Sequence, residues 1–228
     1  MLNNGQLNKK KLSPMEVVNR ISLKVFFLYL FLVTTAPVPS HAFSIQGTGY
    51  IRLSIESTLH DFEGRVTSYP FTIPMEKDGT GKIEVSSVEV LVPVSTITTG
   101  NPRRDREMRK MFDSEHFPQI KGRASGLFPR RIRNEIRHGE KKSTIRNISI
   151  RIRDVENSIP VTFRRLREYG EQISFEIEFI ISLKEFNLEA PTAFFGLIRV
   201  NDKVRVTAGF DLEVAPSRLF QEDEAPGK

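Results

Sequence analysis

The chain has 228 residues, of which 39% are hydrophobic and 27% charged, and its formal net charge is +6. Seventeen phenylalanines and a large share of Ile and Val can bury a sizeable core, which excludes intrinsic disorder as the main state. Cys is absent, which excludes a disulfide scaffold, a thiolate metal site, a catalytic cysteine and a lipid anchored on sulfur. Residues 1–24 carry Lys9, Lys10, Lys11, Arg20 and Lys24 against one acid, Glu16. Val25 to Val33 is uncharged and apolar, and Ser40-His41-Ala42 has the small-x-small form of a cleavage site. This is the order of a secretory signal, and the apolar run falls short of the ~20 residues that span a bilayer. Cleavage after Ala42 is expected, with retention as an N-terminal anchor as the alternative. Removing the five basic and one acidic side chains of residues 1–42 leaves 29 against 27, a net charge of +2. An exported domain so nearly neutral is a poor candidate for binding nucleic acid.

Beyond the signal, period-two alternation dominates. Ile51, Leu53 and Ile55 alternate with Arg52, Ser54 and Glu56, and Val88, Val90, Val92 and Val94 with Glu89, Leu91 and Pro93. A short helical turn fits Ser57 to Asp61, and a turn fits Lys77 to Gly81. Asn101-Pro102 opens the one convincing helix, with Asn as N-cap, Pro at the first position, and Met108, Met111 and Phe112 on one face. Gly122 to Gly126 and Glu156-Asn157-Ser158 read as further turns, Glu168-Tyr169-Gly170 as part of one. Between them lie Ile148-Ser149-Ile150-Arg151-Ile152-Arg153, and then two long alternating runs, Ile173 to Leu183 and Lys203 to Val214. Strands with one apolar and one polar face have the antiparallel habit, and strands this long suit a closed barrel, which leaves no sticky edge. The polar tail, residues 216–228, is expected to be mobile.

One stretch is far more specific. Ser95-Thr96-Ile97-Thr98-Thr99-Gly100-Asn101-Pro102-Arg103-Arg104-Asp105 is followed by Phe112-Asp113-Ser114-Glu115-His116-Phe117-Pro118-Gln119-Ile120. This resembles the signature of the YceI-like family, S-x-x-x-T-G-N-x-x-R-D and then F-D-x-x-x-[FY]-P-x-I. Lys184-Glu185-Phe186-Asn187-Leu188 with Val200-Asn201-Asp202-Lys203-Val204 is similar to the family's last hairpin, and Phe62-Glu63-Gly64 to its N-terminal F-x-G strand. Two departures stand out. The family's L-T-I-x-G-V-T-K-P turn is replaced over Ile150 to Ser158, and Ser182-Leu183 replaces an Asn-Arg pair. The resemblance implies an all-β fold over residues 43–215, an extended antiparallel eight-stranded lipocalin-like β-barrel with one short helix after the Ser95-Gly100 segment. It further implies export to the bacterial periplasm and non-catalytic binding of a polyisoprenoid, quinone-like or similar long-chain amphiphile, with no other cofactor. A homodimer is compatible with this type of barrel.

A polyprenyl chain needs a dry tube lined by apolar side chains. The candidate lining is Phe62, Ile173, Phe175, Ile177, Phe179, Ile181, Leu183, Val204, Val206, Phe210 and Leu212, with Ala208 and Gly209 leaving room. The same residues equally fit a fully packed core, which would make the protein an envelope structural or interaction protein with a ligand-free barrel. Arg104 and Asp105 fit either a ligand head group or local capping, and Phe112 and Phe117 either the plug of a barrel end or the ligand tube. The basic stretch Arg130 to Lys142 fits a solvated hairpin loop or a peripheral contact with anionic lipid head groups. His60, His116 and His138 are isolated, no metal-ligand spacing occurs, and G-x-S-x-G, P-loop and dinucleotide fingerprints are missing, so neither a metal nor catalysis is expected.

Overall fold

A computed structural model describes residues 43–77, 82–137, 145–190, 192–193, 198–214 and 219. The residues of the expected signal (1–42), the tip of the Lys77–Gly81 turn, the end of the basic stretch (138–142) and all of the tail except Leu219 lie outside them.

Ten strands follow in chain order: β1 (Phe43–Ser57), β2 (Phe62–Thr67), β3 (Phe71–Lys77), β4 (Ile83–Pro93), β5 (Gln119–Leu127), β6 (Ile145–Ile152), β7 (Val155–Tyr169), β8 (Gln172–Ser182), β9 (Thr192–Ala193) and β10 (Ile198–Glu213). All pairings are antiparallel, and β1 pairs with β10 from Gln46↔Glu213 to Ile55↔Val204, which closes the sheet. β1 is long enough to take two partners. Its first half pairs with β3 and its second half with β2, so these two strands share one position in the wall. The corner between them, Ser68 to Pro70, is pinned by the Ser68 N–H donating to the Gly49 carbonyl (2.8 Å) and the Tyr69 N–H to the Leu91 carbonyl (2.9 Å). The wall therefore has eight strand positions, with two-residue β9 as an addition beside β10.

Helix α1 (Pro102–Met111) begins where expected. The Asn101 side chain accepts the N–H groups of Arg103 and Arg104, and Pro102 occupies the first turn, where its missing donor costs nothing. The structure differs from the sequence reading elsewhere. Ser57 to Asp61 forms no helical turn; the Ser57 hydroxyl donates to the His60 carbonyl (2.6 Å), and Asp61 accepts the Ser57 N–H (3.1 Å). Gly122 to Gly126 is not a turn, because β5 pairs with β4 through its whole length and this pairing overrides the local glycine signal. The β6–β7 turn is Arg153-Asp154 rather than Glu156 to Ser158, with Arg153 taking the positive φ of 56°. That register keeps Ile150, Ile152 and Ile159 on the buried side. The region after β5 is not a loop: residues Pro129–Arg137 form a second helix, α2.

The buried side chains form three clusters along the barrel axis. At the α1 end, Val94, Ile97, Met108, Phe112, Phe186 and Leu188 join Ile55, Leu183, Val204 and Val206. At the opposite end Ile45, Ile73, Met75, Val85, Ile173 and Leu212 come together with Leu219. Between them sit Val161, Phe163, Ile177 and Ala208, with Ile132 of α2. Burial of each large apolar side chain contributes about 2 kcal/mol.

Candidate ligand cavity

The barrel is not filled from end to end. A cavity of about 230 Å³ lies within the barrel, beside the inner face of β8 from Ile173 to Ile181. Among the described residues its wall is apolar except for the backbone at Gly122 and the side chains of Arg123 and Arg133, and none of them is an acid, a histidine or a hydroxyl residue. The Arg123 guanidinium donates to Glu89 (2.9 Å) and is largely exposed, so it serves the outer face. Arg133 donates in bidentate fashion to Glu168 (2.8 and 3.0 Å) at the rim under α2. The described lining is apolar, so it offers a guest contact area rather than hydrogen bonds.

Two opposed surfaces define the void. On one side four aromatic rings from neighbouring strands touch in series. Phe71 meets Phe210 edge-on at 5.8 Å, Phe210 lies 5.2 Å from Phe175, and Phe175 stacks on Phe163 at 5.7 Å. This belt fits because β1 turns Gly47 and Gly49 inward beneath it. A methyl group on Gly47 would stand 2.6 Å from the Phe71 ring, and one on Gly49 would stand 3.0 Å from that of Phe210. On the other side β5 presents Ile120, Gly122 and Ala124 to the interior, paired with Val92, Val90 and Val88 of β4. A methyl group on Gly122 would meet nothing nearer than the Val90 carbonyl oxygen at 3.9 Å. The glycines of β1 are covered by rings, whereas the side-chain-poor stretch of β5 is left open.

α2 completes the wall. β5 and β6 pair only from Lys121↔Arg151 to Arg123↔Ser149, and beyond that they part. α2 lies against β4 and β7, and Ile132 and Ile136, one turn apart, face the cavity. Two carboxylates fasten it. Buried Glu135 accepts from Arg131 (2.9 Å) and Arg146 (2.8 Å), and Glu168 of β7 accepts from Arg133 and Arg137. The arginines of this stretch thus hold the helix to the barrel, which the solvated-loop reading of Arg130 to Lys142 did not anticipate.

Of the eleven candidate lining residues, Ile173, Phe175, Ile177, Phe179, Ile181, Val206, Phe210 and Leu212 stand on the cavity wall. Leu183 and Val204 are buried at the α1 end, where Phe186 and Leu188 fill the space beside them. Phe62 is off the wall and lies under the Arg104 guanidinium, 4.3 Å from the ring centre. Ala208 lines the cavity, but Gly209 faces outward. Its missing side chain makes way for the Tyr50 ring, 2.2 Å from where a Cβ would be. Burial and the acceptor Glu176 raise the pKa of that phenol.

Arg104, Asp105, Phe112 and Phe117 stand apart from the cavity. Asp105 is buried and accepts the Thr99 N–H (2.8 Å), the Thr99 hydroxyl (2.6 Å) and the Thr98 hydroxyl (3.0 Å). Burial pushes its pKa up, but these hydrogen bonds to the carboxylate outweigh burial and leave the pKa lowered. Arg104 donates to the Thr99 carbonyl and hydroxyl, both at 3.3 Å. Phe112 is buried in the α1-end cluster, and Phe117 sits partly buried with Arg153 5.7 Å above its ring. The signature segment is a brace that ties the loop after β4 to α1. What sequence reasoning missed is the open side of the cavity, Gly122 and Ala124. Their strict alternation with Lys121, Arg123 and Ser125 was the signal that could have placed them inside.

Residues 36–212 match the family model of the YceI-like domain. No curated protein matches the sequence. Among solved structures, BcnA of Burkholderia cenocepacia is 14% identical with a TM-score of 0.48, over 72% of this chain and 95% of its own. A polyisoprenoid binding domain from Saccharophagus degradans implicated in plant cell wall breakdown is 12% identical with a TM-score of 0.46, over 76% and 99%. The YCEI protein of Campylobacter jejuni is 12% identical with a TM-score of 0.44, over 66% and 83%. With most of its length covered by the family model, including the Ser95–Ile120 signature and the closing strand pair, the chain belongs to the YceI-like domain family.

Proposed function

We propose that the protein is an exported, non-catalytic carrier that takes the apolar tail of a polyisoprenoid or similar long-chain amphiphile into its barrel. The observation that carries this reading is the apolar cavity of about 230 Å³, walled largely by Ile, Val and Phe. A saturated or prenyl chain has no hydrogen-bonding groups, so such a wall removes it from water without leaving a polar group unpaired. At about 25 cal/mol per Å², a tail that buries even 200 Å² gains about 5 kcal/mol. The resemblance to the YceI-like family supplies the chemical class. The basic, apolar and small-residue order of residues 1–42 supports export.

The test is direct. The protein is expressed with residues 1–42, recovered from cell fractions and extracted with organic solvent. Mass spectrometry is expected to find a prenyl or acyl lipid near one equivalent, in an exported chain beginning at Phe43. Protein free of lipid that also takes up no prenyl alcohol refutes the carrier reading, and an uncleaved cytoplasmic chain refutes export.

A further inference from the structure

We infer that Arg133 and Arg137, one turn apart on α2, form a seat for a phosphate head group on the guest, at the edge of the wall between β5 and β6. This rests on the carrier reading and deepens it: the ligand becomes an amphiphile with a phosphate ester at the end of its apolar tail.

The cavity has a polar side. On β1, β4, β7, β8 and β10 the described lining is apolar, and its two charged residues, Arg123 and Arg133, stand on β5 and α2. Arg123 reaches out to Glu89, so Arg133 is the charged group at the rim. This asymmetry orients a guest, because a charged head group among Ile, Val and Phe would have no partner. The same side carries the break in the wall. β5 pairs with β6 from Lys121↔Arg151 to Arg123↔Ser149, while Ile145 to Asn147 of β6 pair with β7. α2 spans this place, held to β6 through Glu135 and Arg146 and to β7 through Arg133 and Glu168.

The Glu168 carboxylate shows what the place can hold. It accepts two N–H groups of Arg133 (2.8 and 3.0 Å) and one of Arg137 (3.2 Å), so two guanidinium groups already converge on one oxyanion. Two arginines against one carboxylate leave this trio cationic, and the neighbouring trio of Arg131, Arg146 and Glu135 has the same balance. The pair also bridges two environments. The Arg133 side chain is 21% exposed and lines the cavity, whereas that of Arg137 is 57% exposed. A tail lying on the apolar wall thus brings its head past Arg133 to Arg137, at the edge of water. A guanidinium only donates and carries several N–H groups, so it suits the charged, many-oxygen acceptor of a phosphate better than a hydroxyl.

The experiment uses the purified protein in phosphate-free buffer with two ligands that share one tail, geranylgeraniol and geranylgeranyl phosphate. Each competes with N-phenyl-1-naphthylamine, a neutral fluorophore, and the ratio of the two affinities reads the head group alone. The phosphate is expected to bind at least about tenfold tighter, the effect of one charge-assisted contact. Arg133→Gln and Arg137→Gln are each expected to cut that ratio about fivefold or more. Arg205→Gln, on the outer face beside Glu178, is expected to leave it unchanged. Equal affinity for alcohol and phosphate in the unmodified protein overturns the seat while leaving the carrier reading intact, and binding of neither ligand overturns both. If the α2 variants weaken both ligands alike and keep the ratio, the arginines only hold the helix and the seat is overturned. An equal fall in Arg205→Gln shows attraction by net charge and overturns the assignment to α2. Millimolar inorganic phosphate is expected to leave the ratio as it stands. If it brings the two affinities together, the arginines take free phosphate and the assignment to a lipid head group is overturned.

Discussion

Glycine is used in this barrel in two opposite ways, and a single methyl group distinguishes them. At Gly47 a Cβ would lie 2.6 Å from the Phe71 ring and 2.8 Å from Leu212, both buried, so Gly47→Ala is expected to cost about 1–3 kcal/mol through overpacking. At Gly122 the same change meets open space and only restricts the unfolded chain, so Gly122→Ala is expected to stabilise by about 0.5–1 kcal/mol. Urea midpoints of the two variants should move in opposite directions. The charged residues give a pH signature. Asp105 is held low by the Thr98 and Thr99 donors acting against burial, and Asp202 by the Lys184 N–H (2.9 Å) and the Ser182 hydroxyl (2.7 Å). A carboxylate whose folded pKa is depressed contributes stability that is complete above its unfolded value near 3.9 and is lost as pH falls through the folded value. The contribution of these two carboxylates is therefore expected to be complete above about pH 5 and to decline below about pH 4, with a shallower decline in Asp105→Asn, as followed by denaturant midpoints at each acidic pH.

Among the elements, α2 is fastened differently from the strands, and its loss should be separable from theirs. It sets Ile132 and Ile136 against the cavity and is tied to the barrel by ion pairs at Glu135 and Glu168. Glu135→Ala takes the carboxylate from Arg131 and Arg146 and is expected to cost about 1–3 kcal/mol, less than for a fully buried pair because Arg131 is exposed. Hydrogen exchange should then speed up in α2 while the β7–β8 and β8–β10 ladders stay protected; equal acceleration in both would show that the helix is not a separate unit. The difficulty of reading α2 from sequence has the same origin. Six cations against two acids between Arg130 and Lys142 look like a solvated loop. Pro129 at the helix start and Ile132 and Ile136 four apart mark a helix nonetheless, and the acids that neutralise its arginines come partly from 168, which no local pattern can reveal. The strands were legible where one face meets the interior and the other meets water, as in Ile173 to Leu183 and Lys203 to Val214, because alternation then records burial directly. Turns were misplaced where register decides them. Arg153 adopts a positive φ against its own preference because the pairing of Ile152 with Val155 demands it.

At the scale of the whole molecule, alternation identifies which residues face inward but not how far a side chain extends across the barrel. That is why Ile173 to Ile181 were foreseen on the inner wall, while Leu183, Val204 and Phe62 lie in solid packing and the free depth beside Gly122 went unseen. A void is a property of two opposed walls and has no sequence pattern of its own. It also has a thermodynamic consequence, because an empty chamber forfeits the contacts its lining would otherwise make. A guest that binds only the folded barrel restores them, and at one hundred times its dissociation constant adds about 2.7 kcal/mol. For a domain of this size that corresponds to a rise in Tm of about 5–10 °C. Ala124→Leu brings its own hydrocarbon to the same place. Its three added carbons contribute about 2 kcal/mol of burial less any strain, and are expected to raise the Tm of the lipid-free protein and to abolish the further rise with a ten-carbon alcohol. Scanning calorimetry of the two proteins with and without the alcohol checks this. A variant that is more stable and no longer responds to the guest identifies chamber and binding site as one volume. A variant that still responds fully locates the guest elsewhere on the molecule.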